Sequence, residues 1–286
     1  TTAKHIWDGI KNLDKKLYLV DNYFFLPEQK RQKFFDTVKY SIDKNTQNII
    51  PILQSSHEYN WTQHDFIFFG HHDYKKIRKV ATTDLYDVAS LTKILVTLPL
   101  LMELVETGVV SLDDRLGRLL PAYKNSNKSQ MSLKEMLSHH AQLKPYIPFY
   151  TATLDSTSQQ PNSDFFRTVK SMDFPIKISD QKYLRADFKD SIHHKIIDSK
   201  LLEKKEYRYS DLPYYIVKEL IETHYDLSLD ELIQQRFYEQ IGANFSTYNP
   251  LDFFDKSKIT PTEEDDYFRF ETVHGYVHDM GAAMQN

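Results

Sequence analysis

The stretch LYDVASLTKI, Leu85 to Ile94, places Ser90 and Lys93 three residues apart where an apolar helical pattern begins. Positions i and i+3 share a helix face, so hydroxyl and amine come within hydrogen-bond reach, a geometry suited to taking the proton from a serine nucleophile. Lysine acts as a base only as the free amine. Lowering its pKa from about 10.4 to about 7 takes roughly 3 units, or about 4 kcal/mol against the charged form. Burial and the positive end of a helix both push that way. The serine amide in a first helical turn is also free to donate to an oxyanion. Against this, a serine at a helix start is most often a cap, and the Ser-x-x-Lys spacing arises by chance in chains of this size. The tetrapeptide alone leaves both readings open.

Other groupings carry less chemistry. His274 and His278 stand four apart beside Asp279, as two ligands on one helix face would, but no Glu follows His274 and Gly275 favours a loop. A structural role is expected for His278 and Asp279, and no metal site. The doublets His71-His72, His139-His140 and His193-His194 lack ligand spacing and read as solvated or capping histidines. The acidic run Thr262 to Asp266 lacks the glycine and alternating oxygens of a calcium loop and reads as solvated. No glycine-rich phosphate loop is present, so no nucleotide cofactor is expected. The 286 residues include no cysteine, which excludes disulfides, thiolate metal sites and a Cys nucleophile. With 36 Lys+Arg against 40 Asp+Glu, and no basic stripe with interleaved aromatics, nucleic acid is not an expected partner. No run of about 18 apolar residues is long enough to span a membrane, and the N-terminus lacks a signal-peptide stretch.

The elements that would position these residues follow from periodicity. Residues 1–48 read as amphipathic helix and charged loop, and residues 49–54 and 65–70 as strands that could pair as a hairpin. From Leu91 a helix is expected with Leu91, Ile94, Leu95, Leu98, Leu101, Met102 and Val105 on one face, ending at Gly108. Ser111 can cap a short helix before Pro121, and Ser132 with Glu135 forms a capping box. The polar run 151–164 reads as exposed loop. Asp211 or Ser210 can cap a helix with Pro213 in its first turn, and Ser228 to Gly242 reads as a capping box closed by glycine. Residues 246–286 read as ordered loop.

Over these segments the chain resembles the serine β-lactamase and penicillin-binding-protein superfamily, in its class C-like and esterase branch. TTDLYDVASLTKILVTLPLLMELVETGVVSLDDRL carries the Ser-x-x-Lys motif in its wider setting. MSLKEMLSHHAQLKPYIPFY is similar to the segment after the nucleophile helix, which in the family turns through Ser-Gly-Leu or Ala-Gly-Leu. YRYSDLPYYIVKELIE resembles the Tyr-x-Asn or Tyr-Ser-Asp motif and its helix. PTEEDDYFRFETVHGYVHDMGAAM is similar to a stretch of members associated with cell-wall and sugar-processing enzymes. The resemblance implies Ser90 as acyl nucleophile, Lys93 as its base, and Tyr209 as the hydroxyl that relays the proton to the leaving group. It places Asp211 and His278 at substrate-binding positions. Asp211 departs from the commoner asparagine, and a carboxylate there could hold Lys93 charged or orient it. Read without the resemblance, Tyr209 is one core aromatic among 19 tyrosines.

The family's third motif, Lys or His, a small residue, then Gly, is absent: none of the 7 glycines has Lys or His two places before it. The expected fold is α/β of the α+β kind, β-lactamase/transpeptidase-like, a mainly helical subdomain packed on a small antiparallel sheet. One serine-hydrolase-like domain over 1–286 is expected, with N-terminal helix and strands in 1–80, a helical subdomain with the motifs in 81–245, and a loop-rich tail in 246–286. Its C-terminal strands are expected to be missing, leaving Ser90 more exposed than a catalytic serine usually is and Lys93 hydrated and charged. The implied activity is acyl-enzyme hydrolysis of an ester, amide or β-lactam carbonyl, on a small or cell-wall-derived substrate, without cofactor and in the periplasm or another extracytoplasmic place. The alternative is a catalytically silent binding or accessory module of the same fold, completed by another segment or an oligomer.

Overall fold

The computed structural model describes residues 52–55, 64–67 and 70–284. The helix expected within 1–48 lies outside them. The chain divides between Leu85 and Tyr86 into two units.

In the first unit, β1 (Ile52–Ser55) and β2 (His64–Ile67) pair antiparallel with Ile52 opposite Ile67, where the apolar runs predict strands. His72 is not a solvated histidine. Its Nε2 lies 2.8 Å from the buried Asp84 carboxylate, which also takes Arg78 at 2.5 Å and the Ala81 amide at 2.6 Å. Burial pushes the Asp84 carboxyl up, but the bonds from His72, Ala81 and Arg78 outweigh it and hold it below its ordinary value.

The second unit opens on a 3-10 turn (Ala89–Leu91), passes through a π turn (Lys93–Thr97) and continues as α1 (Leu98–Glu106). Gly108 follows with φ of 74°, the left-handed stop glycine permits at no cost. The buried side of this segment is Val96, Leu100, Leu101 and Leu104, whereas Leu91, Ile94, Leu95 and Met102 are exposed. The expected apolar face is thus corrected. A π turn carries an extra residue per turn, so a 3.6-residue period read across residues 93–97 is rotated out of phase.

Short helices α2 (Leu116–Leu119) and α3 (Leu133–Leu137) follow. Arg115, not Ser111, stands at the start of α2 and caps nothing with its side chain. The Ser132–Glu135 capping box opens α3 as its sequence predicts. A three-stranded antiparallel sheet, β3 (Phe166–Arg167), β4 (Ile176–Ser179) and β5 (Lys182–Leu184), has the order β3-β5-β4. It was not legible in the charged sequence around it.

Helix α4 (Phe188–Asp198) ends on Lys128, fully buried, whose Nζ donates to the carbonyls of Ile197 (2.9 Å) and Ser199 (2.6 Å). These are carbonyls a helix C-terminus leaves without partners. Helix α5 (Leu212–Tyr225) presents Ile216, Val217 and Ile221 to the core, and α6 (Leu229–Ile233), with its Ser228–Glu231 box, adds Leu232 and Ile233. A π turn (Gln234–Tyr238) and α7 (Glu239–Ile241) then close at Gly242, φ 69°.

The tail is not all loop. β6 (Pro261–Asp265) and β7 (Glu271–His274) form an antiparallel pair, and α8 (Met280–Ala283) follows. Thr262 to Asp265 of the acidic run therefore lie in a strand. Among the described residues, no helix is long and apolar enough to cross a membrane.

Candidate active site

Ser90 sits in the first turn of the 3-10 segment, exposed, with its backbone N–H among those a helix start leaves free. The residue before it, Ala89, has φ of 45°. For a residue with a Cβ this left-handed conformation costs on the order of 1 kcal/mol. Asp87 holds it: one carboxylate oxygen accepts the Ala89 N–H at 2.8 Å and the other the His278 N–H at 2.9 Å. Asp87 thereby joins the Ser90 turn to the segment before α8. Nothing in the sequence distinguishes it from the other carboxylates.

Lys93 lies one turn on, and its Nζ donates to Ser90 Oγ at 3.0 Å. The same Nζ is 2.7 Å from Asp211 Oδ1, and 5.5 and 5.3 Å from the ring centres of Tyr209 and Tyr214. Burial works to strip the proton from Lys93, but the Asp211 carboxylate and Tyr209 outweigh it and hold its pKa above the ordinary 10.5. Lys93 therefore rests as an ammonium. Its side chain is only 14% exposed, so the ion pair, not the hydration expected from an open site, keeps the charge. Asp211 occupies the N-cap position of α5, where a carboxylate also gains from the helix dipole.

The run carrying Tyr209 is held by the loop after α3. Ser210 Oγ donates to the Lys144 carbonyl (2.6 Å) and accepts the Leu212 N–H (3.2 Å), while the Asp211 N–H donates to the Pro145 carbonyl (2.9 Å). Ser210 is thus the side chain that caps the start of α5, and Asp211 is left free to face Lys93. Gln142 has φ of 57°, at the place where the resembling family turns through glycine, and exchanges two hydrogen bonds with Leu202, each 2.8 Å. His139 is half-buried and packs on Tyr209, with ring centres 4.6 Å apart. The solvated reading of His139 is corrected.

His278 lies on the same cavity as Ser90, with Asp87, Lys93, Asp211 and Asp279. Its ring Nδ1 is 3.0 Å from Glu263. Fully buried Arg269 fixes this segment, donating to Asp265 (2.8 Å), Glu263 (2.9 Å) and the carbonyl of Val277 (2.7 Å). Asp279 accepts from the Tyr215 hydroxyl (3.1 Å) and from the Ala282 N–H (3.0 Å) at the start of α8. Gly281 stands where any Cβ would meet the Tyr215 hydroxyl. His274 donates to the Ile259 carbonyl (2.6 Å), which satisfies that ring nitrogen without a metal.

The cavity measures about 420 Å³ and runs from Ser90 past Tyr146, Phe149 and Tyr215, largely between apolar walls. Ser90 and Lys93 also line a second, more open hollow with Ile94, His139, Tyr209 and Tyr214. Four of the five residues singled out by the sequence, Ser90, Lys93, Tyr209 and Asp211, therefore meet around one ammonium group. The fifth, His278, shares the cavity wall but turns its ring to Glu263. Asp87, His139 and Tyr214 complete the surroundings and were not singled out. His139 and Tyr214 could have been suspected only from lying within two of the motif segments.

The family described as Beta-lactamase matches residues 57–283. A protein of Escherichia coli (strain K12) named "Putative D-alanyl-D-alanine carboxypeptidase" is 24% identical over 221 residues, which are 71% of this chain and 45% of that protein. The chain spans about half the length of the curated relatives it matches. Among solved structures, FmtA from Staphylococcus aureus has a TM-score of 0.56 at 16% identity, covering 99% of this chain and 71% of its own. A class C beta-lactamase reaches 0.58 at 14% identity, covering 94% of this chain and 62% of that one. Both likenesses concern the fold.

Proposed function

Because the chain belongs to the Beta-lactamase family, we propose that it is a serine hydrolase in which Ser90 forms an acyl-enzyme with an ester, amide or β-lactam carbonyl. The observation that carries this reading is the convergence on Lys93 Nζ of Ser90 Oγ at 3.0 Å and Asp211 at 2.7 Å, beside Tyr209. After Lys93 gives up a proton to solvent, its free amine accepts the Ser90 proton as Oγ attacks the carbonyl carbon. The tetrahedral oxyanion takes a hydrogen bond from the Ser90 N–H. Lys93 then returns the proton, through the Tyr209 hydroxyl, to the departing alcohol or amine, and the acyl group remains on Oγ. Water repeats the sequence to release the acid.

The name of the Escherichia coli relative supports a cell-wall-derived acyl donor and an extracytoplasmic place of action. Asp211 and His278 are the residues assigned to substrate binding, a reading supported by both lining the cavity that Ser90 lines.

One observation favours a second reading, a slow or silent binding module: the resting ammonium of Lys93, clamped by Asp211. Intact-protein mass spectrometry after exposure to a fluorophosphonate and to penicillin at pH 7 and pH 9 separates the two. The enzyme reading expects one adduct, faster at pH 9 and absent in Ser90→Ala. An unmodified Ser90 at both pH values with both reagents supports the silent module.

A further inference from the structure

His139 holds three consecutive residues of the segment that carries Tyr209. Its carbonyl accepts the Arg208 N–H at 2.8 Å. Its ring lies 4.6 Å from the Tyr209 ring at 40°. Its Nδ1 accepts the Ser210 N–H at 3.3 Å. Three contacts of different kinds, from one side chain and its own backbone, fix both the position of the Tyr209 peptide and the direction of its ring. His139 itself adopts φ of 59°, a left-handed conformation that histidine tolerates better than most residues.

Resting on the reading of Ser90, Lys93 and Tyr209 as the reacting set, we propose that His139 is a positioning residue that sets Tyr209 against Lys93 and does so only as the neutral imidazole, so that its protonation switches the site off in acid.

An Nδ1 that accepts a backbone N–H carries no proton, so the ring is the Nε2–H tautomer. Protonating Nδ1 would turn an acceptor into a donor aimed at another donor, breaking the Ser210 bond and loosening the run from Arg208 to Asp211. The charges facing the ring work against that proton. Lys93, from the nucleophile segment, is an ammonium, and His140 is the neighbour on its own loop; Asp211, at the start of α5, pulls the other way. The rings of Tyr207, Tyr209 and Tyr214 pack against it on the other sides. Burial, with Lys93 behind it, lowers the His139 pKa from 6.5 despite Asp211. The switch therefore operates below pH 6.5, and the ring is neutral at pH 8.

Two substitutions separate the contacts. His139→Asn tolerates the left-handed backbone, can offer Oδ1 where Nδ1 stood, and removes both ring and titration. His139→Phe keeps a ring and presents carbon to the Ser210 N–H. Each should slow fluorophosphonate acylation of Ser90 at pH 8 by between about 10- and 100-fold, the range expected for a reacting group misplaced by up to about 1 Å. The loss should fall in the limiting rate of acylation, with little change in the half-saturating reagent concentration.

A plot of log rate against pH should have a slope of two below the His139 midpoint in the wild type, one proton from His139 and one from Lys93. In His139→Asn the slope should be one throughout. A His139→Asn protein with the wild-type rate and a slope of two would overturn the proposal.

The second arm needs no activity. In Ser90→Ala protein labelled with 15N-histidine, the His139 ring should show an unprotonated Nδ1 and titrate below pH 6.5, and the Tyr209 ring resonances should move with it. A protonated Nδ1 at pH 8, or a Tyr209 ring indifferent to that titration, refutes the proposal. A wild-type Ser90 that never labels sinks the hydrolase reading alone, and this arm still decides the role of His139.

Discussion

Replacing Asp211 with asparagine should make the protein a faster acyl acceptor at neutral pH, although it removes a charge from the centre of the site. Lys93 and Asp211 are 2.7 Å apart with side chains 14% and 28% exposed. At that distance two unit charges attract by about 1.5 kcal/mol at the dielectric of water and about 6 kcal/mol at an effective dielectric of 20. Asparagine keeps a carbonyl oxygen toward Nζ but not the charge, so the Lys93 pKa falls and the free-amine fraction at neutral pH rises. A less basic amine is a weaker proton acceptor, and a Brønsted dependence of about one half leaves about half of the pair's attraction as a gain in rate, on the order of tenfold. The assay is the second-order rate of fluorophosphonate labelling at Ser90 between pH 6 and pH 10.5, with Ser90→Ala as blank. The whole rise should move to lower pH, in the direction opposite to that in which Asp211 moves Lys93. A rate at pH 7 equal to or below that of the wild type, with the rise unmoved, refutes the claim that the ion pair holds the base in its inactive form. The same pair has a stability consequence. Because the Lys93 pKa is raised in the folded state, its contribution is present below pH 10.5 and is lost as pH rises through that raised value.

Arg269→Ala leaves the buried Asp265 carboxylate without its partner and frees the Val277 and His278 carbonyls. It should cost about 3–5 kcal/mol in urea unfolding, and an unchanged midpoint would show that the buried pair does not hold the cavity wall. Glu135, which takes Lys205, the Ser132 amide and the Ser132 hydroxyl, is held down to about 2 from 4.5. Its contribution is complete above pH 4.5 and disappears as pH falls toward 2, so Glu135→Gln should lose about 1–2 kcal/mol at pH 7, after solvent screening, and almost none at pH 2. Equal losses at both pH values would place the effect in packing and not in charge.

Local chemistry made much of this protein readable without coordinates. The Ser132–Glu135 and Ser228–Glu231 boxes are satisfied within four residues, and Gly108 and Gly242 take the left-handed stops their sequence requires. The Ser90–Lys93 contact belongs to the same class, since one helical turn brings the two together. Tyr209 and Asp211 were reached only through the family resemblance of their segment, not through spacing. Other features depended on long-range partners. The sheet of β3, β4 and β5 lies in a charged run with little alternation, and its pairing comes from segments that meet only after folding. The π turn after Ser90 rotated the apolar face away from its predicted phase, exposing Ile94 and burying Leu100.

The sequence by itself determined which residues could react, because side-chain type and helical spacing are local properties. Tertiary structure alone decided their state. Lys93 is an ammonium because α5 delivers Asp211 to within 2.7 Å of it, across 118 residues of chain. Ala89 keeps its strained turn beside Asp87, whose other oxygen holds the His278 amide. Tyr209 has its direction because His139 receives the amides on either side of it. The physical reason is that charge state and orientation depend on distances of a few ångströms between groups far apart in sequence, and only the folded chain sets those distances.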